Sequence, residues 1–211
     1  MFSFTNMQDY KAVLELDRYY HIYNRANGND KLFLNDDNYQ YFLKKFTFYI
    51  SPIANIFAYC LMPNHFHFIV RIKGNEELRT LQGFETLEGL VQSKKISQQF
   101  SHLFNSYSQA YNKQNTRKGS LFIPRFNRKP ITTKSYLKNT INYIHQNPVY
   151  HKYVSELEEW KYSSYNSFLN TETNHLCSQE TIDLFGDLDN FIYYHQLKKA
   201  EQLAKELSLE C

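Results

Sequence analysis

The clearest hydrophobic–polar rhythm in the chain is the run His65-Phe66-His67-Phe68-Ile69-Val70-Arg71-Ile72. An alternation of period two predicts a strand. Phe66, Phe68, Val70 and Ile72 then share one wholly apolar face, and His65, His67, Ile69 and Arg71 share the other. A second strand is predicted over residues 55–62. Pro63-Asn64 between the two suits a tight turn, because Pro presets the first turn dihedral and Asn tolerates the second. Residues 55–73 therefore read as a β-hairpin. Residues 20–25 (YHIYNR) also alternate and are rich in aromatics, which predicts a further strand. Residues 27–30 (NGND) follow it as a turn.

Helical spacing accounts for most of the remainder. Asp36 or Asp37 is positioned to cap a helix reaching about residue 49, with Phe42, Phe46 and Tyr49 on one face and Pro52 as a stop. Residues 87–115 form a polar-aromatic helical stretch. Gly119, Pro124 and Pro130 make residues 118–131 a loop with short strand pieces. Thr132 or Thr133 caps a helix that ends before Pro148, and its Leu137, Ile141 and Ile144 form the buried stripe. Residues 155–170 look irregular. From about residue 178 the chain is helical in pattern and acidic. This order predicts an α+β fold, a small antiparallel sheet with helices packed on one face and an extra helical segment at the C-terminus.

Composition narrows the class. The chain has 211 residues, 42% hydrophobic and 21% charged, which excludes a disordered chain. No apolar run approaches the roughly 20 residues needed to span a bilayer, so no membrane partner is expected. The N-terminus lacks the basic and apolar regions of a signal peptide. Cys60, Cys177 and Cys211 are odd in number and scattered, which suits a reducing, cytoplasmic setting. The net charge of +3 is an average over unlike pieces. Residues 1–88 carry −1 and residues 156–211 carry −7, whereas residues 89–155 hold eleven Lys and Arg and no acid. That block, interleaved with Tyr, Phe, Asn and Gln, predicts a surface for a polyanion with unpaired bases, that is, nucleic acid. The other reading is a solvated basic face.

Two imidazoles at i and i+2 on one sheet face can converge on a divalent cation. Histidines bonded to their neighbours are the competing reading. In the helix after Thr133, Tyr143 and Asn147 are i and i+4, adjacent on a face beside the apolar stripe. If that stripe docks on the sheet, the pair meets the histidines, and the Asn147 carbonyl is a suitable third ligand for a hard ion such as Mg²⁺ or Mn²⁺. The spacing by itself is weak, since Tyr-x-x-x-Asn also occurs at Tyr20/Asn24 and Tyr162/Asn166.

Taken together, these residues resemble the single-tyrosine HUH transposases. Met62-Pro63-Asn64-His65-Phe66-His67 is similar to the histidine motif of their REP-associated tyrosine transposase branch. Gly119-Ser120-Leu121-Phe122 with Arg125-Phe126, Tyr143-Ile144-His145-Gln146-Asn147-Pro148-Val149 and Trp160-Lys161-Tyr162-Ser163-Ser164-Tyr165 resemble three further segments of that branch, in the same order. Phe122 stands where Trp is usual, and Tyr150-His151 follow where a basic and a small residue are common. The resemblance implies a ferredoxin-like fold with the histidine strand central, a transposase-like domain over residues 1–166 and an acidic, mainly helical extension over 167–211. It implies His65, His67 and Asn147 as metal ligands, Tyr143 as nucleophile, and single-stranded or hairpin DNA as substrate, cut through a 5′-phosphotyrosine.

Arg117, Lys118, Arg125, Arg128 and Lys129 are then the expected contacts to DNA phosphates. One tyrosine per chain calls for a second subunit or a second round for strand transfer, so a homodimer is one expected state. Tyr107 and Tyr111 are rival nucleophiles on the preceding helix. A hairpin-binding module without cleavage and a replication or conjugation nickase are the alternative functions.

Overall fold

The computed structural model describes residues 12–85, 89–170 and 176–197. Its sheet is built from β1 (Tyr19–Arg25), β2 (Ala54–Met62), β3 (His65–Ile72) and β4 (Asn127–Ile131), in the order β2-β3-β1-β4 with every neighbour antiparallel. Helix α1 (Asp36–Ile50) joins β1 to β2, and α2 (Asn75–Arg79) and α3 (Gly89–Gln114) join β3 to β4. This is the ferredoxin-like arrangement, and β3 is an inner strand. After β4 come α4 (Lys134–Tyr150), a 3-10 turn (Leu157–Glu159), α5 (Tyr165–Leu169), α6 (Ser178–Phe185) and α7 (Leu188–Leu197).

Local chemistry sets the element ends. Asn35 caps α1, its side chain accepting from the Asn38 amide at 3.1 Å. Asp36 and Asp37 lie in the first turn instead, where carboxylates favour the positive end of the helix dipole. Thr133 caps α4 by accepting from the Tyr136 amide. The β2–β3 hairpin closes through Pro63-Asn64, with Met62 opposite His65. The β1–α1 loop grips the turn, since the Leu32 amide donates to the Pro63 carbonyl and the Ala26 amide to that of Asn64, both at 2.7 Å.

Two cores lie on opposite sides of the sheet. Tyr20, Ile22, Phe66, Phe68, Val70 and Ile72 pack against Phe42 and Phe46 of α1 and Phe100, Leu103 and Tyr107 of α3. Phe46 and Phe68 stack with centroids 3.7 Å apart. On the other side, Ala58, Cys60, Met62 and Ile69 meet Leu137, Ile141 and Ile144 of α4, and Phe168, Phe185 and Phe191 extend that core into the C-terminal helices.

Helices therefore cover both faces of the sheet, which corrects the expectation of one covered face. The physical reason is visible in β2: Ala58, Cys60 and Met62 on the histidine side are as buried as Leu61 on the other, and apolar surface on both sides needs two covering layers.

A second correction concerns α4, which runs through Pro148 to Tyr150. Pro148 lies in the last turn, so it forfeits one helical bond near an end that is already closing. The amides of His151 and Tyr153 donate to the carbonyls of Asn147 and Pro148. Residues 155–170 contain the 3-10 turn and α5 rather than being irregular throughout. The acidic segment from residue 178 forms α6 and α7, and the tail at 198–211 lies outside the described residues. Among the described residues no helix is long and apolar enough to cross a membrane.

The second core encloses His145 and His195, each 1% exposed. Burial holds both imidazoles neutral, pushing His195 down to about 4 and His145 well below the usual histidine range. Unfolded histidines titrate near 6.5. Below that pH the unfolded chain takes up protons that the folded chain refuses, so stability falls as pH drops from 6.5 towards 4, by at most about 1.4 kcal/mol per pH unit for each such group. Urea midpoints measured between pH 7.5 and 4.5 are expected to decline steadily across that window. A flat profile would show that these imidazoles are not held neutral.

Candidate active site

The strand register builds the site in rows. On the side facing α4, His65 lies between Met62 and Arg25, His67 between Cys60 and Tyr23, and Ile69 between Ala58 and His21. The two histidines pack edge to face with ring centroids 5.1 Å apart. Helix α4 lays its apolar stripe on this side and brings Tyr143 and Asn147 to them. The Tyr143 ring centroid is 5.8 Å from that of His67, and Asn147 Oδ1 is 2.9 Å from His65 Nε2. Tyr143 and Asn147 are completely buried and His67 is 4% exposed, so His65 is the member that reaches solvent. The fold thus brings together four residues that spacing and the family resemblance had singled out.

His21 joins them without having been singled out. Its Nε2 lies 2.9 Å from Nδ1 of His67, and both rings are buried. Burial holds His21 down to about 3 and His67 well below the usual range, so the pair is neutral and shares one proton across the contact. His67 Nε2 and His21 Nδ1 are then buried nitrogens with no hydrogen-bond partner among the described residues. The signal was present in residues 20–25: His21, Tyr23 and Arg25 alternate onto the histidine face.

His65 contacts two amide oxygens, Asn64 Oδ1 through Nδ1 at 2.8 Å and Asn147 Oδ1 through Nε2. Burial pushes His65 down to about 4, with the Asn147 contact partly opposing it. A neutral imidazole donates through one nitrogen only. If that donor serves Asn64, the Nε2 lone pair faces the Asn147 oxygen directly.

Such a juxtaposition fits a cation. An imidazole nitrogen and an amide oxygen 2.9 Å apart are both donor types that a divalent cation accepts. The unpartnered Nε2 of His67 supplies a further donor, and a histidine bonded through its other nitrogen is the usual arrangement of a metal ligand. Among the described residues no three His, Cys, Asp or Glu side chains gather as a metal site, so a cation here would rest on two imidazoles and an amide oxygen. His151, the C-cap of α4, adds a third imidazole nearby, its ring centroid 5.4 Å from that of His65.

The rival tyrosines sit elsewhere. Tyr107 and Tyr111 lie on α3, across the sheet, and donate to the carbonyls of Leu32 and Lys31. Burial raises both hydroxyls above the ordinary tyrosine range.

The basic residues divide by what they touch. Arg117 pairs with Asp30 and donates to Asn112 and to the carbonyls of Gly119 and Ser120, so it fastens the loop after α3. Arg128 donates to Ser97 of α3 and lies 5.1 Å over the Phe126 ring, on the face away from the histidines. Lys129 is on the histidine face, opposite His21 and over the Tyr136 ring. Lys118 and Arg125 are exposed, and Arg125 holds a left-handed backbone at φ 67°. Arg25, outside the acid-free block, is exposed directly beside His65. A groove of about 510 Å³ runs between α3 and the loop, lined by Asn105, Ser108, Gln109, Asn112, Arg125 and Phe126. It also touches Asn24, which pairs with Phe66, the neighbour of His65.

No family model matches the chain. In sequence it is 27% identical over 116 residues to a curated Haemophilus influenzae protein provisionally named a REP-associated tyrosine transposase. That match takes in 54% of this chain and 61% of the relative's length. In structure it superimposes on a REP-associated tyrosine transposase solved with a bound REP hairpin, with a TM-score of 0.59 and 17% identity, over 77% of this chain and 86% of that one. The motif resemblance and both comparisons point the same way: this chain is similar in sequence to one REP-associated tyrosine transposase and in fold to another.

Proposed function

We propose that the protein is a metal-dependent transposase acting on single-stranded DNA at hairpin-bearing ends. The observation that carries this reading is the convergence of His65, His67, Asn147 and Tyr143 from a strand and a helix of the same chain. The REP hairpin held by the structural relative supports hairpin DNA as the substrate class.

His65, His67 and Asn147 hold the cation, Mg²⁺ or Mn²⁺. When bound, it supplies Lewis-acid polarisation of a phosphoryl oxygen. The scissile phosphate enters past His65 and Arg25, the exposed lip of the site. The Tyr143 hydroxyl loses its proton to water, and its oxygen bonds to phosphorus. The bond from phosphorus to the 3′ oxygen breaks. The products are a 5′-phosphotyrosine and, once protonated, a free 3′-OH. Holding the phosphodiester as a covalent ester allows rejoining without a nucleotide cofactor. Lys118, Arg125 and Lys129 hold backbone phosphates, and the polar groove beside α3 receives unpaired bases.

Three outcomes are expected. Labelled hairpin DNA with a single-stranded flank, incubated with Mn²⁺, forms a covalent adduct that disappears in Tyr143→Phe and persists in Tyr107→Phe. Tight binding with no adduct under any divalent metal would instead mark a hairpin-binding module. Mn²⁺ binding, followed by electron paramagnetic resonance, is lost in His67→Ala and weakens about 10- to 100-fold in His21→Leu, the change expected when a ligand loses its orienting partner. In a salt titration of hairpin binding, Lys118→Gln and Arg125→Gln each reduce the slope by about 0.7 to 0.9. Arg117→Gln leaves the slope nearly unchanged and lowers the melting temperature.

A further inference from the structure

Helix α4 touches the sheet through Leu137, Ile141 and Ile144, and apolar packing of this kind has no direction of its own. The stripe decides which face of α4 meets the sheet, but it opposes a small rotation or slide of the helix only weakly. Tyr143 and Asn147 stand beside that stripe, so such a shift moves them relative to the histidines. Directional bonds, beginning with the Asn147–His65 contact, set the final register.

The opposite flank of α4 is read residue by residue by α7. Tyr194 donates its hydroxyl to Asn139 Oδ1. Asn142 Nδ2 donates to the Tyr194 carbonyl at 3.1 Å, and Gln146 Nε2 to that of His195 at 2.6 Å. Between them, Nδ1 of His145 lies 2.9 Å from Nε2 of His195.

The proton order in this chain is fixed. The Phe191 carbonyl, 2.7 Å from His195 Nδ1, accepts the proton of that nitrogen, so Nε2 of His195 is an acceptor. His145 therefore donates through Nδ1, and its Nε2 accepts from the Ser164 hydroxyl at 2.8 Å. Ser164 is tied to β2, its Oγ accepting from the Tyr59 amide at 2.9 Å. One buried line thus runs from α7 through α4 to the sheet.

We infer that α7 is a brace for the nucleophile helix: Tyr194 and His195, reading Asn139, Asn142, His145 and Gln146, set the register of α4 that keeps Tyr143 and Asn147 against His65 and His67 within one chain. His195 is then a positioning residue acting through His145. The catalytic half of this inference rests on the function proposed above, whereas the register-setting half does not.

The test uses the full chain with His195→Ala, His195→Gln and Gln146→Ala. Amide hydrogen exchange in His195→Ala is expected to speed about ten-fold or more over residues 140–147 while the amides of β1 and β3 keep their protection. With hairpin DNA and Mn²⁺, single-turnover adduct formation falls about ten-fold to a hundred-fold, as for a displaced reacting group, and hairpin affinity stays within about two-fold. His195→Gln, whose amide oxygen can accept from His145, restores most of the rate. Unchanged protection of α4 overturns the brace, and so does protection lost across the whole sheet or a faster adduct in His195→Ala. Should His195→Ala not fold, Gln146→Ala, which removes a half-exposed contact, is read in the same way. If the unaltered protein forms no adduct, the proposed function fails, and hydrogen exchange still decides the brace.

Discussion

The fold and the site both depend on β3 being an inner strand whose two faces carry opposite chemistry. Phe66, Phe68, Val70 and Ile72 need an apolar cover, and α1 and α3 supply it. His65 and His67 need a cover that leaves their nitrogens usable, and α4 supplies that with one tyrosine and one amide beside its apolar stripe. A slip of one residue in the β1–β3 register would exchange these faces, sending imidazoles into the aromatic core. The Pro63-Asn64 turn, gripped by the amides of Ala26 and Leu32, opposes that slip.

The second constraint is the cost of burying polar groups. Among the described residues four buried histidines fall into two pairs, His21 with His67 and His145 with His195, each pair 2.9 Å apart. Two neutral imidazoles satisfy one another with a single proton, whereas two charged ones would repel and lose their hydration. The pairs differ in what is left over. His145 and His195 find partners for both nitrogens, so that pair is closed and structural. His21 and His67 each keep a buried nitrogen without a hydrogen-bond partner among the described residues, so that pair is open. A buried imidazole nitrogen with an unfinished hydrogen bond is a place where ligand chemistry can act.

Most of the aromatic excess serves packing. Tyr39 stacks on Tyr162, with centroids 3.5 Å apart, and Tyr107 fills a cluster with Phe33, Phe42 and Phe122. Trp160 donates to the Leu61 carbonyl, and the segment after it seals the outer edge of β2 through Tyr162 and Ser164. The closing motif thus protects a sheet edge that would otherwise be open to pairing. The acid-free block divides in a similar way, since Arg117 and Arg128 are half-buried and bonded to neighbouring segments whereas Lys118 and Arg125 are exposed.

Several parts were legible in the sequence because they rest on local periodicity. The alternation of residues 65–72 assigned each side chain of β3 to its face, the Pro-Asn pair set the hairpin, and the helical spacing after Thr133 separated the stripe from Tyr143 and Asn147. Other parts were decided by tertiary structure because they rest on partners distant in the chain. His21 meets His67 across 46 positions, and Arg25 meets His65 only through the β1–β3 register. Arg117 is engaged by Asp30, 87 positions away. The cover on the histidine face, and the continuation of α4 through Pro148, follow from packing that no local rule encodes. Local spacing thus placed the candidate residues on their elements and faces, and long-range pairing decided which stand together, because register and docking act between segments whose sequences carry no mark of one another.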